Sequence, residues 1–269
     1  MEHKNNARGR IHLRPPVAYY GGKQTLLPII LPLIPEHTRY VEPFLGGGAV
    51  YWSKEPSQVE IINDLDGFVI NFYKVVKTDF EALKAMVNAT PYARESHQKA
   101  STIRQSQEFF TPLQCAWAFF VLANSSMYAG LDNPCLFPGK DIKVVRTFYN
   151  KANRFGVDYT ERLQNTFIER RDAIYVIKQN DQESTFFFID PPYFNSNMGH
   201  YGGYTEADFE GLLKAISTLQ GKFILTCYPS DLLDSHLSLN PDWKAEFRDM
   251  AKSAGSKGKR KTEVLVRNY

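Results

Sequence analysis

"RYVEPFLGGGAVYW", residues 39–52, decides the fold. Its apolar start reads as a short buried strand, Gly46 to Gly48 as a turn, and its end as the opening of a helix. The scheme repeats in "QVEIINDLDGFVINFYKVVK", residues 58–77: a strand to Ile62, an acidic turn, then a helix with Phe68, Phe72 and Val75 along one face. Three later apolar runs have strand character: "DAIYVI" (172–177), "TFFFIDPPY" (185–193) and "GKFILTCY" (221–228). Between the last two, "EADFEGLLKAIST" (206–218) sets Leu212, Leu213 and Ile216 on one helical face, and "TEVLVRNY" (262–269) alternates like a final strand. Strands alternating with helices predict an α/β fold with a doubly wound, mainly parallel sheet.

Residues 78–170 fit that scheme poorly. They are rich in Gln, Asn, Arg and Tyr, with helical stretches near 79–107 and 112–123 and a turn-rich piece, "ANSSMYAGLDNPCLFPGKD". Such a length exceeds an ordinary connection in an α/β unit, so the region reads as an inserted, mainly helical subdomain. The expected organisation is a basic arm at 1–14, a main domain from 15–77 and 171–269, and the insertion at 78–170.

Composition narrows the function classes. With 269 residues, 43% hydrophobic and 23% charged, the chain suits a soluble globular protein with a full core. Its apolar runs, such as "LLPIILPLI", are too short or too proline-broken to span a bilayer, and the start is polar and basic, which predicts a cytoplasmic protein. Cys115, Cys135 and Cys227 lack metal spacing, and no metal site is expected. Lys4, Arg8, Arg10 and Arg14 against Glu2, and Lys252, Lys257, Lys259, Arg260, Lys261 and Arg267 against Glu263, make both ends basic while the body is slightly acidic. That distribution suits a polyanion partner, or solvated tails.

Four motifs carry chemistry. The glycine turn lets a backbone approach a ligand closely, or simply packs a strand against a helix. Asp64, at the end of the next strand, is placed to accept from the two hydroxyls of a ribose, with no neighbouring base to receive a phosphate. In "AYYGGKQ", residues 18–24, Lys23 suits a carboxylate and Tyr19 a flat ring or a sulfonium; the alternative is a surface turn before a helix. "DPPYF", residues 190–194, ends a strand on an acid, two rigid residues and an aromatic pair.

In this order, "YYGGK", "VEPFLGGGAV", "NDLD" and "DPPYF" resemble the Dam-type (D12 class) site-specific DNA adenine-N6 methyltransferase family. "FVLANSSMYAGL" is similar to the family's inserted domain, "YGGYTEADFEGLLKAI" to its segment after the catalytic loop, and "KTEVLVRNY" to its terminal strand. The resemblance implies a Rossmann-like class I methyltransferase with a seven-stranded sheet, S-adenosyl-L-methionine as cofactor, no metal, and duplex DNA as partner. It further implies a monomer or weak dimer, DNA-associated in a bacterial or phage setting, with a cognate restriction endonuclease as a possible companion. Two departures stand out. Ser125 follows Asn124 where the family commonly has arginine, which bears on target recognition, and Tyr20 stands where it often has alanine.

The resemblance also assigns roles. Asp190 and the carbonyl of Pro191 would accept the two amine hydrogens of a flipped adenine, with Pro191 and Pro192 fixing the backbone and Tyr193 stacking on the purine. Tyr19, Lys23, Glu42, Phe44, Gly46, Gly48, Asp64, Asp172 and Asp190 would surround the cofactor; Asp172 also suits a plain strand-start aspartate. DNA contacts fall to Arg94, Arg104, Asn124, Ser126 and Tyr128 in the insertion and to Lys259, Arg260 and Lys261 near the end, while His97 and His200 are expected to be solvated or packed. Three other readings remain open at this stage: methylation of cytosine, RNA or glutamine; a binding module with a decayed core; and a nucleoside oxidoreductase.

Overall fold

The computed structural model describes residues 13–139, 142–194, 203–251 and 260–269. Seven strands form one sheet: β1 Arg39–Glu42, β2 Val59–Asn63, β3 Thr166–Glu169, β4 Thr185–Ile189, β5 Lys222–Cys227, β6 Lys244–Ala251 and β7 Arg260–Arg267. Their order is β3-β2-β1-β4-β5-β7-β6, parallel from β3 through β5, with β7 antiparallel to both its neighbours. This is a Rossmann-like, doubly wound sheet closed at one edge by an antiparallel pair. The helices are α1 Leu27–Ile30, α2 Ala49–Ser53, α3 Gly67–Thr78, α4 Phe80–Asn88, α5 Arg94–Gln105, α6 Pro112–Ser125, α7 Lys143–Arg154, α8 Asp158–Leu163, α9 Ala173–Gln179, α10 Glu206–Ile216 and α11 Asp231–Leu239. No helix among the described residues is long and apolar enough to cross a membrane.

The continuous apolar run of β4 is explained by burial on both faces. Phe186 and Phe188 enter one core with Tyr40, Ile62 and Ile224; Phe187 and Ile189 enter the other with Val41, Ile61, Phe223 and Leu225. α9, α10 and α11 cover the second face through Val176, Ile177, Leu212, Leu213, Ile216 and Leu233. The first face is covered by α2 and α3 and, in the same cluster, by Leu83, Ile103, Trp117, Phe119, Phe120, Phe148, Phe155 and Tyr159 from α4 to α8 and the adjoining turn.

Two expectations are corrected. Residues 172–177 are not a strand. Asp172 accepts from the Tyr175 N–H at 2.9 Å and caps α9, whose buried Ala173, Val176 and Ile177 follow helical spacing. The third strand is instead β3, inside the stretch assigned to the insertion, and its Phe167 is 62% exposed at the sheet edge. β6, at the opposite edge, was also not foreseen; in "KAEFRDMA" the alternation of Ala245 and Phe247 is broken by Asp249, and Phe247 is 53% exposed.

Candidate active site

In a doubly wound sheet the loops leaving two adjacent strands part where the winding reverses, and a crevice opens at their carboxyl ends. Here that place lies between β1 and β4, so the loops concerned are "EPFLGGG" and "DPPY".

Asp190 follows the last residue of β4 and is held at both carboxylate oxygens. Lys23 Nζ lies 2.8 Å from Oδ2 and donates also to the Gly21 carbonyl at 2.7 Å. Thr226 Oγ1, on β5, donates to Oδ1 at 2.6 Å, and the Tyr193 hydroxyl approaches the same oxygen at 3.3 Å. Burial pushes the Asp190 carboxyl above the usual aspartate range, and the bonds from Lys23 and Thr226 pull against that. Tyr193 packs edge-on against Tyr228 with ring centroids 4.3 Å apart, and the Lys23 ammonium sits 5.1 Å from the Tyr193 ring centroid.

The β1 loop reaches the same crevice. Gly46 and Gly48 adopt φ of 47° and 64°, open to glycine at little cost. A Cβ at Gly46 would stand 2.8 Å from the Tyr19 ring, so the turn's close approach is taken up by Tyr19 itself. Asp64 Oδ2 accepts from the Gly46 N–H at 2.8 Å and Oδ1 from the Asp66 N–H at 2.9 Å. Burial raises its pKa to about 6 against those bonds. Gly22 N–H donates to the Tyr19 carbonyl at 3.1 Å, tying the Tyr19 side of the crevice to the Lys23 side. Tyr19, Lys23, Gly46, Asp64, Asp190 and Tyr193 are therefore brought together. Phe44 lines the neighbouring lip, edge-on to Tyr204 at 6.3 Å.

Glu42 and Asp172 lie elsewhere in the hydrogen-bond pattern. Glu42 is 2% exposed and accepts from the Tyr40 hydroxyl at 2.5 Å and the Tyr51 N–H at 3.1 Å, beneath the turn. Burial raises its pKa to about 8. Asp172 is an exposed helix cap.

Sequence reasoning missed Thr226 and Asn63. Fully buried Asn63 donates to the carbonyls of Pro43 and Arg171 at 2.9 and 3.0 Å and accepts from the Arg171 N–H at 2.8 Å. It thus ties the end of β2 to the loops after β1 and β3. Its place in "IINDLD", a polar residue ending an apolar strand, was the available signal.

The DNA-contact candidates divide. Arg94 is exposed, its guanidinium 4.1 Å from the Phe137 ring centroid, and Tyr128 is 52% exposed. Arg104 is turned inward, with Nε 2.7 Å and Nη2 3.1 Å from Asp132 and Nη1 3.5 Å from Asp66. Asn124 Oδ1 accepts from the Ala18 N–H at 3.0 Å and from Lys151 Nζ at 2.7 Å. Ser126 is buried with its hydroxyl 2.9 Å from Nε2 of the equally buried His97, which is packed as one of its two expected states. Arg260 and Lys261 begin β7; Lys259, His200 and residues 1–12 lie outside the described residues.

Residues 19–255 match the profile of the D12 class N6 adenine-specific DNA methyltransferases. The chain is 24% identical to the type II methyltransferase M1.LlaDCHI of Lactococcus lactis subsp. cremoris, over 97% of this chain and 98% of that protein. It is 29% identical to the DNA N-6-adenine-methyltransferase of Escherichia phage P1, over 71% of this chain and 25% of that protein. Against the type II methyltransferase M.MjaIII of Methanocaldococcus jannaschii it is 26% identical, over 74% of this chain and 76% of that protein.

Proposed function

The chain belongs to the D12 class N6 adenine-specific DNA methyltransferase family, and from that premise we propose that it transfers the methyl group of S-adenosyl-L-methionine to the exocyclic N6 amine of an adenine flipped out of duplex DNA. The observation that carries the reading is Asp190 at the winding reversal, held at both oxygens beside Tyr193.

The residues present fit the cofactor. A carboxylate has about four acceptor positions, and Asp64 meets the backbone N–H groups of Gly46, Asp66 and Leu65, which leaves capacity for a ribose hydroxyl. Tyr19, Phe44, Gly46 and Gly48 would flank the nucleoside, and Lys23 and Asp190 would border its amino-acid part. Glu42 would act from beneath, by shaping the turn, and Asp172 by capping α9. When bound, the cofactor supplies a sulfonium-activated methyl group.

Adenine N6 is a poor nucleophile because its lone pair is delocalised into the ring. Asp190 and the Pro191 carbonyl would accept its two hydrogens, which favours a pyramidal nitrogen with a free lone pair. Pro191 and Pro192 restrict the backbone, so this acceptor pair is set before substrate arrives. Burial of Asp190 suits it to take the proton shed by the methylated nitrogen. A base in a stacked duplex cannot reach such a loop and must be extruded, with Tyr193 as the stacking surface.

On this reading the region 78–170 faces the target DNA through Arg94 and Tyr128, and the basic ends, with Lys259, Arg260 and Lys261, meet phosphates in a salt-dependent way. Arg104, Asn124 and Ser126 would support that surface from inside. The type II relatives favour a cognate restriction endonuclease as companion, and the chain would act as a monomer or weak dimer in a bacterial or phage-infected cytoplasm. Long-read sequencing of DNA from cells expressing the chain or its Asp190→Ala form tests the proposal. Methyl-adenine confined to one short motif in the first sample alone is expected; its absence from both overturns the reading.

A further inference from the structure

We propose that Thr226 is a positioning residue for the reaction: from β5 its hydroxyl holds the Asp190 carboxylate in one orientation and in its ionised form. The inference rests on the methyl-transfer reading above.

Leu225 pairs with Ile189 in the parallel register of β4 and β5, so the next residues, Asp190 and Thr226, stand side by side at the carboxyl edge. Thr226 is fully buried among apolar neighbours in "FILTC". For packing alone a valine would fill that place with the same shape, and a buried hydroxyl is costly without a partner. Its single proton goes to Asp190 Oδ1 at 2.6 Å, a charge-assisted contact.

With Lys23 on Oδ2, the carboxylate is fastened from two elements that do not touch the reacting base through these bonds. An acceptor that must meet an amine hydrogen gains little from being present in the wrong rotamer, and this fastening removes that freedom.

The fastening also bears on charge. Among the described residues, the ionisable groups around Asp190 are Lys23 from the N-terminal loop, Glu42 from β1, Tyr193 from its own loop, Cys227 from β5 and Glu263 from β7. Of these only Lys23 is a cation; Glu263 opposes ionisation of Asp190, and the charges of Glu42 and Asp190 disfavour each other. The neutral Thr226 donor therefore sides with Lys23 in keeping the carboxylate charged.

The test compares purified wild type, Thr226→Val and Thr226→Ser on unmethylated genomic DNA, with pH profiles, alongside calorimetric binding of S-adenosyl-L-homocysteine. Thr226→Val should lower kcat about 10- to 100-fold and move the acid limb up by about one pH unit. Its affinity for S-adenosyl-L-homocysteine should stay within about threefold, and Thr226→Ser should restore both rate and profile. A valine variant with wild-type rate and acid limb overturns the proposal, as does a serine variant as slow as the valine one. So does a valine variant that loses product binding in step with rate. Should Thr226→Val fail to fold, Thr226→Cys replaces it as the variant with a weak donor. A wild type that methylates no adenine sinks the function and this role together, whereas an active wild type beside an unchanged variant sinks only the role.

Discussion

The carboxyl edge of the sheet and the turn after α6 are both polar, loop-borne and rich in glycine or asparagine, yet they are built in opposite ways. At the sheet edge the side chains singled out by sequence converge: Lys23 meets Asp190, and Asp64 meets the glycine turn. At the end of α6 and in the turn after it they diverge. Asn124 and Ser126 point into the protein, while Tyr128 stands outside with φ of 55°, followed by Ala129 at the same φ. A catalytic loop needs its groups fixed against one another; a recognition surface needs them free to meet a partner, and its neighbours serve to hold the backbone.

That contrast is breakable. The largest effect is expected at Asp64. Asp64→Ala should weaken S-adenosyl-L-homocysteine binding about 10- to 100-fold, the worth of hydrogen bonds to a charged group, while DNA affinity measured by fluorescence anisotropy barely changes. The reverse pattern would place Asp64 on the wrong side of the comparison.

Next comes Asn124. Because its oxygen joins Ala18 to Lys151, Asn124→Ala should cost about 1–3 kcal/mol of stability in urea titrations. DNA affinity at matched folded fraction should hold; a selective loss of DNA binding would return Asn124 to the interface.

Tyr128 should behave in the opposite sense. A left-handed backbone costs a non-glycine residue about 1–2 kcal/mol, so Tyr128→Gly should leave the melting temperature unchanged or higher. DNA binding should nevertheless fall, by about tenfold if an aromatic stacking contact is lost. A destabilised variant with intact DNA binding would show the side chain to be structural.

A fourth expectation concerns Glu42 and is read in pH dependence rather than in binding. The native carboxyl keeps its proton to about pH 8, whereas the unfolded one releases it near 4.5. The folded state thus binds more protons in that window, and its stability declines as pH rises through it. Glu42→Gln, which stays neutral, should flatten that decline in a series of thermal melts; an unaltered slope would mean that the carboxyl ionises normally.

What was legible in the sequence follows burial. β4 was readable because all five of its side chains are buried, and β1, β2, β5 and β7 announced themselves similarly. β3 and β6 are edges, with one face or both in solvent, so "TFIE" and "KAEFRDMA" carry little apolar signal. α9 was mistaken for a strand because Ile174, Val176 and Ile177 are β-branched and crowded, although its buried residues follow helical spacing. At the site, the motif residues were visible as motifs. Thr226 was not, since a lone threonine closing an apolar strand has no spacing to mark it. Nor did the sequence distinguish an asparagine facing DNA from one whose oxygen fastens Ala18 and Lys151.

The core on the first face of the sheet has a bearing on how such a chain changes over generations. Trp117, Phe119, Phe120, Phe148 and Phe155 belong to the cluster that also contains Tyr40, Phe186 and Phe188. A region built this way is not a cassette: transplanted to another sheet, it would arrive with half of a core for its host to complete. On the proposed reading, a new target sequence would be inherited through the solvent-facing tips around Tyr128, outside the shared aromatic packing, and recombination of whole helices would be the costly route.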